Sequence, residues 1–375
     1  MKVILPKYRE NGPRFPMEKR FVFVVFSLVI GVVQSVNAEV PAIFVLGDST
    51  SDVGTNNYLP QSTIKANFPH HGIDFPFAIP TGRFSNGFNT ADFLAKLFGF
   101  KKSPPPFFSQ NVKFSIKIRK FRGINFSSAG CGLLGSTGQT TPLQKNVITM
   151  EEQLFQFSTV HNDLLTFKGP LETEKFLSKS LFFISIGSND IMNNYYSSNP
   201  IPKEYFIPKL GLVYEKHLRN LISLGARKFG IVSVPALGCC PSQRIYQANG
   251  ECLEELNNQA RAFFSTMELL LGNLRLEFKD IKYSLGNMVD MTLNVIDNAL
   301  AFNFKFVKTA CCGSGTLNAQ GSCSPISDLC SNRNEYLFWD SFHPTQTASK
   351  LAAFTLYGGE PRFVSPINFS QLPDA

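Results

Sequence analysis

The chain has 375 residues, of which 43% are hydrophobic and 17% charged, and this composition excludes an intrinsically disordered protein. Residues 1–38 carry six basic and two acidic side chains, so they account for half of the formal net charge of +8. The remaining basic clusters are short and are not interleaved with aromatic residues, so nucleic acid is not expected as a partner.

The N-terminus has the pattern of a secretion signal. A basic pair at 19–20 precedes an apolar run at 21–33, and small residues offer a cleavage site after Ala38. The run is shorter than the ~20 residues that a membrane-spanning helix needs. The sequence therefore predicts a signal peptide over 1–38, with Met17 as an alternative start, and no integral membrane span after its removal.

Downstream, strand-like and helix-like segments alternate. The first strand-like run, AIFVLG, is continuously apolar and ends in glycine, as a strand buried on both faces of a parallel sheet does. This alternation predicts a single α/β domain over 39–375 with a mainly parallel sheet. The predicted strands are 42–47, 123–128, 181–187, 228–234 and 282–286. The predicted helices are 88–99, 149–167, 205–225, 251–278, 289–302 and 344–358.

Two local signals refine these helices. Thr149 and Glu152 have the spacing of a capping box, which predicts the start of the helix at 149–167. Pro208 lacks a backbone N–H and is expected to interrupt the helix at 205–225 near its beginning.

Three polar clusters follow predicted strands directly: GDST at 47–50, SAGCG at 128–132 and GSND at 187–190. The carboxyl ends of parallel strands meet at one edge of a sheet, where sites form in such folds. Ser49 in the first cluster is either a helix N-cap or a nucleophile. A nucleophilic serine needs a base, and the base needs a group that orients it.

His343 is the candidate base among five histidines. It follows Asp340 by three residues in FWDSFHPT, and this spacing lets the carboxylate reach Nδ1 and leaves Nε2 free to accept a proton. The alternative is a turn at a helix start in which the histidine is incidental. The other histidines lie in a loop rich in proline and glycine or on apolar helical faces: His70, His71, His161 and His217.

An attacking serine also requires hydrogen-bond donors for the oxyanion that forms. Gly130 lets a backbone N–H approach a ligand closely, and Asn189 supplies a neutral side-chain donor. GCGLLG at 130–135 also matches a dinucleotide-binding pattern, but STGQTTP follows it where that motif needs a helix.

Four blocks in this order, GDST, NFSSAGCG, GSND and DSFHPT, resemble the GDSL/SGNH hydrolase family, and more narrowly its secreted plant branch. TGRFSNGFNTADFLA at 81–95 supports the resemblance, which covers essentially all of 40–360. It implies a flavodoxin-like three-layer αβα sandwich. It also implies these site residues: Ser49 as nucleophile and first oxyanion donor, Gly130 and Asn189 as the other donors, and Asp340 and His343 as the rest of the triad.

The resemblance implies a secreted, extracellular serine ester hydrolase, located in the cell wall or apoplast, with no metal or cofactor. The expected substrates are acyl esters of a lipid, wax, cutin-like polymer or acylated polysaccharide. Two alternatives remain open. An acyltransferase would use the same acyl-enzyme, and a non-catalytic wall-associated binding protein would keep the fold without turnover.

Eight cysteines on an exported chain suggest disulfides, and the absence of CxxC pairs disfavours zinc. Two short loops are the expected staples, Cys240–Cys252 and Cys312–Cys323, among the 105 connectivities that eight cysteines allow. Two sequons make Asn125 and Asn368 glycosylation candidates, of which the first lies in an apolar stretch.

Overall fold

The computed structural model describes residues 40–109, Ile116, 120–139 and 146–374, and the predicted signal peptide at 1–38 lies outside them. Ten strands occur in the described part of the chain. They are β1 (Ile43–Gly47), β2 (Gly123–Asn125), β3 (Leu181–Ser185), β4 (Lys228–Val232), β5 (Lys282–Gly286), β6 (Phe306–Ala310), β7 (Cys312–Gly313), β8 (Asp328–Leu329), β9 (Tyr336–Phe338) and β10 (Val364–Ser365).

The central sheet has the order β10-β5-β4-β3-β1-β2. β1 to β5 run parallel, and β10 pairs antiparallel with β5 at the edge. The order 2-1-3-4-5 of the parallel strands is that of flavodoxin-like folds, in which the ligand site lies where the chain reverses direction between β1 and β3. The predicted α/β class and parallel sheet are confirmed.

Alternate residues of β1 enter two different cores, because side chains of a strand point to opposite faces of the sheet. Phe44 and Leu46 belong to the larger cluster on one face, and Ile43 and Val45 belong to a second cluster on the other. All four are at most 3% exposed, so helices cover both faces. The result is the three-layer αβα sandwich that the family resemblance implies.

Helices connect the strands. They are α1 (Thr90–Leu97), α2 (Met150–Lys168), α3 (Pro170–Lys179), α4 (Ser188–Tyr195), α5 (Lys203–Ser223), α6 (Pro241–Arg244), α7 (Glu254–Glu277), α8 (Met288–Asp297) and α9 (Gln346–Gly358). Three of them, α3, α4 and α6, are not among the predicted helices. α1 and α9 pack on one face, and α2, α5 and α7 pack on the other. None of the helices in the described ranges is both long and apolar enough to cross a membrane.

The capping box of α2 is present, with Thr149 and Glu152 each accepting from the backbone of the other. The expected interruption at Pro208 is wrong, because α5 continues through it. Proline removes a single bond to the carbonyl four residues earlier, and the buried face of α5 extends from Phe206 to Ile222 and stabilises the helix on both sides of that gap.

Three disulfides staple the C-terminal half: Cys239–Cys252, Cys311–Cys330 and Cys312–Cys323. The predicted pair Cys312–Cys323 is confirmed. The predicted pair Cys240–Cys252 is wrong by one residue, because the Sγ of Cys240 lies 3.7 Å from the carbonyl oxygen of Phe342 and Cys239 faces Cys252. Cys131 and Cys240 are buried free thiols.

Candidate active site

Ser49 stands immediately beyond the end of β1. The strand ends at Gly47, whose φ of +144° only glycine adopts readily, and a Cβ there would lie 2.0 Å from the carbonyl oxygen of Ser185 on β3. The buried Asp48 then accepts hydrogen bonds from both the N–H and the hydroxyl of Thr50. These contacts fix a tight turn that leaves the Ser49 side chain partly exposed at the sheet edge.

His343 contacts Ser49 directly. Its Nε2 lies 2.8 Å from the Ser49 Oγ, and its Nδ1 lies 2.8 and 2.9 Å from the two carboxylate oxygens of Asp340. One Asp340 oxygen also accepts the backbone N–H groups of Phe342 and His343. Residues nearly 300 apart in the chain are thus joined in one hydrogen-bonded series, with the orientation that the three-residue spacing predicts.

Burial and the charge of the partner shift the pKa values of Asp340 and His343 in opposite directions. Burial raises the pKa of the Asp340 carboxyl, but the facing His343 outweighs it, so this pKa lies below the ordinary range. Burial lowers the pKa of His343, but Asp340 and, more weakly, Asp48 outweigh it, so this pKa lies above that of an ordinary histidine.

The pH dependence of turnover follows from that direction. Only neutral His343 can accept a proton from serine, so kcat/KM is expected to rise with pH through an apparent pKa above the ~6.5 of a free histidine. Asp340→Asn removes the charge that raises it, so the apparent pKa should fall. A pH profile of ester hydrolysis checks both statements, and an Asp340→Asn profile unchanged in midpoint would contradict them.

The two expected donors lie on a helix start and a neighbouring loop. Asn189 is the second residue of α4, after β3, and its Nδ2 donates to the carbonyl of Cys131 at 2.8 Å. Gly130, on the loop after β2, has a φ of +84°, and a Cβ there would lie 2.5 Å from the side chain of Ile64. The segments that carry the five predicted residues therefore meet at the carboxyl edge of β1, β2 and β3.

His71 is a neighbour of this group that the sequence did not indicate. Its Nδ1 accepts a hydrogen bond of 3.1 Å from the indole Nε1 of Trp339, next to Asp340. Burial lowers the pKa of His71 to about 4, so it is a neutral acceptor at physiological pH. Phe84 lies against the His343 ring, with centroids 4.9 Å apart. Both contacts restrict the orientation of the segment that carries Asp340 and His343.

Two further side chains fix the loops of the site through hydrogen bonds to backbone groups. Gln153 on α2 accepts the N–H of Gly47 and donates to its carbonyl, each at 2.9 Å. Asp190, beside Asn189, accepts the N–H groups of Leu133 and Leu134, at 2.7 and 3.0 Å. The glycine-rich loop at 130–135 therefore wraps a carboxylate of the protein itself, and burial raises the pKa of that carboxyl.

The described part of the chain contains no cluster of three or more histidine, cysteine, aspartate or glutamate side chains arranged to hold a metal ion. The two sequons differ in environment. Asn125 is fully buried in β2, and its Nδ2 donates to the carbonyl of Ser51 at 2.7 Å, so a glycan cannot be attached without disrupting this core. Asn368 is partly exposed and remains a candidate for glycosylation.

Comparison with known proteins agrees with the geometry. The family model for GDSL-like lipase/acylhydrolase matches residues 43–354. Two GDSL esterase/lipases of Arabidopsis thaliana are 35% identical over 351 residues and 36% identical over 343 residues. The first alignment covers 89% of this chain and 90% of the relative, and the second covers 89% of each.

A third Arabidopsis thaliana GDSL esterase/lipase is 33% identical over 336 residues, covering 88% of this chain and 90% of the relative. The family match extends over the five parallel strands of the sheet and all four sequence blocks. The chain therefore belongs to the GDSL-like lipase/acylhydrolase family and is a carboxylic ester hydrolase.

Proposed function

We propose that the protein is a secreted serine esterase in which Ser49, His343 and Asp340 form the catalytic triad. The observation that carries this proposal is the series of 2.8 Å contacts from the Ser49 Oγ through His343 to Asp340. A capping serine would have no reason to face an imidazole oriented by a buried carboxylate. The family membership of the chain supports the same reading.

The reaction proceeds in two halves. His343 Nε2 takes the hydroxyl proton as the Ser49 Oγ bonds to the ester carbonyl carbon, and Asp340 stabilises the imidazolium. The tetrahedral intermediate collapses, the C–O bond to the alcohol breaks, and His343 gives its proton to the leaving oxygen. A water molecule then attacks the acyl-enzyme, gives a proton to His343, and Ser49 recovers its proton as the acid departs.

Three donors stabilise the oxyanion in both halves: the backbone N–H groups of Ser49 and Gly130 and the Nδ2 of Asn189. Nδ2 carries two hydrogens, and the bond to Cys131 uses one of them. Asp190 holds the Gly130 loop against α4, so the donors are fixed before the substrate arrives. Donors arranged in advance lose no reorganisation energy when charge develops.

The signal peptide at 1–38, read from Met1 or Met17, would export a single domain at 39–375. Three disulfides suit an oxidising extracellular compartment such as the cell wall or apoplast. A glycan at Asn368 would be compatible with the same route. The substrates are acyl esters of the lipid, wax, cutin-like or acylated polysaccharide class, and the triad requires no cofactor.

Labelling with a fluorophosphonate tests the proposal, because this reagent phosphonylates only activated serines. The purified protein should be labelled, Ser49→Ala should not be labelled, and His343→Ala should react at least about 100-fold more slowly. Mass spectrometry of the labelled peptide should locate the adduct on Ser49. A folded wild-type protein that takes up no label, or an adduct on another serine, would overturn the assignment.

A further inference from the structure

A cavity of about 190 Å³ lies beside the triad, between α8, α9 and the carboxyl ends of β3 and β4. Its lining includes Thr50 and Ser188, which are the chain neighbours of Ser49 and Asn189. Phe342 and Pro344, on either side of His343, also line it. The cavity therefore adjoins the segments that carry the proposed nucleophile, oxyanion donor and base.

The walls of this cavity are almost entirely apolar. None of its lining residues is charged, and Val234, Met291 and Leu351 are representative of the set. Two of its hydroxyl groups are bonded to their own helices. Thr292 donates to the carbonyl of its own helix at 2.7 Å, and Thr355 donates likewise at 3.0 Å. Such walls favour a hydrocarbon chain and penalise a sugar or another polar group, which would lose its hydrogen bonds to water.

We propose that this cavity holds the acyl chain of the ester. The inference rests on the proposed function. Water must reach the acyl-enzyme at the position that the alcohol leaves, so the alcohol side of the site has to remain open to solvent. The acyl chain stays attached to Ser49 through both halves of the reaction and can be enclosed throughout. A largely apolar space bordered by Thr50 and Ser188 suits that half of the substrate.

The volume of the cavity limits the length of the acyl chain that it can hold. An apolar cavity of roughly 150 Å³ takes a six-carbon ligand, so 190 Å³ corresponds to about six to nine acyl carbons. Burial of one methylene is worth up to roughly a fourfold gain in kcat/KM. The substrate class is therefore an ester of an unbranched acid of medium chain length, with longer chains gaining nothing further.

Two series of esters test the proposal. The first varies the acyl chain from acetyl to palmitoyl on a fixed p-nitrophenyl group, and the second varies the alcohol from ethyl to dodecyl on a fixed acetyl group. We expect kcat/KM to rise with acyl length to a maximum near eight carbons and to change little along the alcohol series. Length dependence confined to the alcohol series, or absent from both, would overturn the proposal.

Variants on α8 and α9 test whether the acyl chain of the ester lies in this cavity. Ala352 lines the cavity one turn beyond Ala348, and Ala352→Phe should lower the octanoyl-to-acetyl ratio of kcat/KM by about tenfold or more. Met291→Ala enlarges the space and should move the optimum to longer chains. Ala301→Phe is the matched control, because Ala301 is exposed and does not line the cavity, and it should leave the ratio unchanged.

The experiment separates the two proposals. Fluorophosphonate labelling and acetate hydrolysis by the wild type report on the triad before any chain length is considered. If both are present and the Ala352→Phe and Met291→Ala ratios equal the wild-type ratio, the acyl assignment fails while the esterase assignment stands. If both are absent from a folded protein, the esterase assignment itself fails.

Discussion

Ser49→Ala is expected to lower kcat for a short acyl ester by about 10⁴- to 10⁶-fold while the protein remains folded. Alanine cannot form the acyl-enzyme, so only the oxyanion donors and substrate binding remain to accelerate direct attack by water. The Ser49 hydroxyl is partly exposed and its hydrogen bond is to His343, so its removal leaves the core intact. Hydrolysis of p-nitrophenyl butyrate, with circular dichroism as the measure of folding, checks both parts.

Residues of a catalytic triad act as a unit, so their losses do not add. The double variant Ser49→Ala/His343→Ala should be no slower than Ser49→Ala alone by more than severalfold. Ser198→Ala, at an exposed serine after α4, is the matched control and should retain wild-type turnover. Turnover of Ser49→Ala within severalfold of wild type would show that another group is the nucleophile.

Those features of the site that depend on local sequence could be predicted. β1 ends in a glycine and β3 is followed by a glycine two residues later, and in a parallel sheet that pattern places the next polar residues at one edge. Asp340 and His343 are three residues apart, so one tight turn suffices to bring carboxylate and imidazole together. The pairing of this turn with Ser49 required the family resemblance in addition, because nothing local connects the two segments.

Features that depend on distant contacts were missed. His71 reads as a loop residue, and its position follows from Trp339, 268 residues away in the chain. α4 begins within GSND, at Ser188, although the sequence of this cluster is typical of a loop at the end of a strand. Cys239 and Cys240 are adjacent in the chain, so spacing cannot decide which of them faces Cys252, and only the packing of Cys240 against the Phe342 backbone does so.

The motif at 81–95 gains a physical explanation from the structure. Arg83 and Asp92 form a buried bidentate pair, with Nε to Oδ2 and Nη2 to Oδ1 both at 2.7 Å. Asp92 also accepts the backbone N–H of Asn89, and Asn89 donates to the carbonyl of Asp52 at 3.0 Å. The pair thus connects the start of α1 to the loop that follows Ser49, so its loss affects both the stability and the geometry of the site.

Arg83→Leu is therefore expected to lower the free energy of unfolding by about 3–5 kcal/mol at pH 7, because it leaves the Asp92 carboxylate buried and uncompensated. Urea titration followed by the fluorescence of Trp339, the single tryptophan of the chain, measures the change. Arg261→Leu is the matched control. It breaks an ion pair with Glu254 that is exposed on both sides, and it should change the unfolding free energy far less.

The decrease in the free energy of unfolding that we expect in Arg83→Leu should depend on pH in a defined direction. In the wild type, burial raises the pKa of Asp92, but Arg83 outweighs this effect, so the pKa is depressed. The ion pair therefore contributes stability above the unfolded pKa of ~3.9, and this contribution is lost as pH falls. In Arg83→Leu burial outweighs the remaining hydrogen bond from Asn89, so the folded pKa of Asp92 rises and the carboxyl becomes protonated in the folded state as pH falls toward that value. The deficit relative to wild type should therefore be largest at pH 7 and shrink at pH 4.5. A deficit that is constant between the two pH values would mean that lost packing of the arginine, and not the stranded charge of Asp92, destabilises the variant.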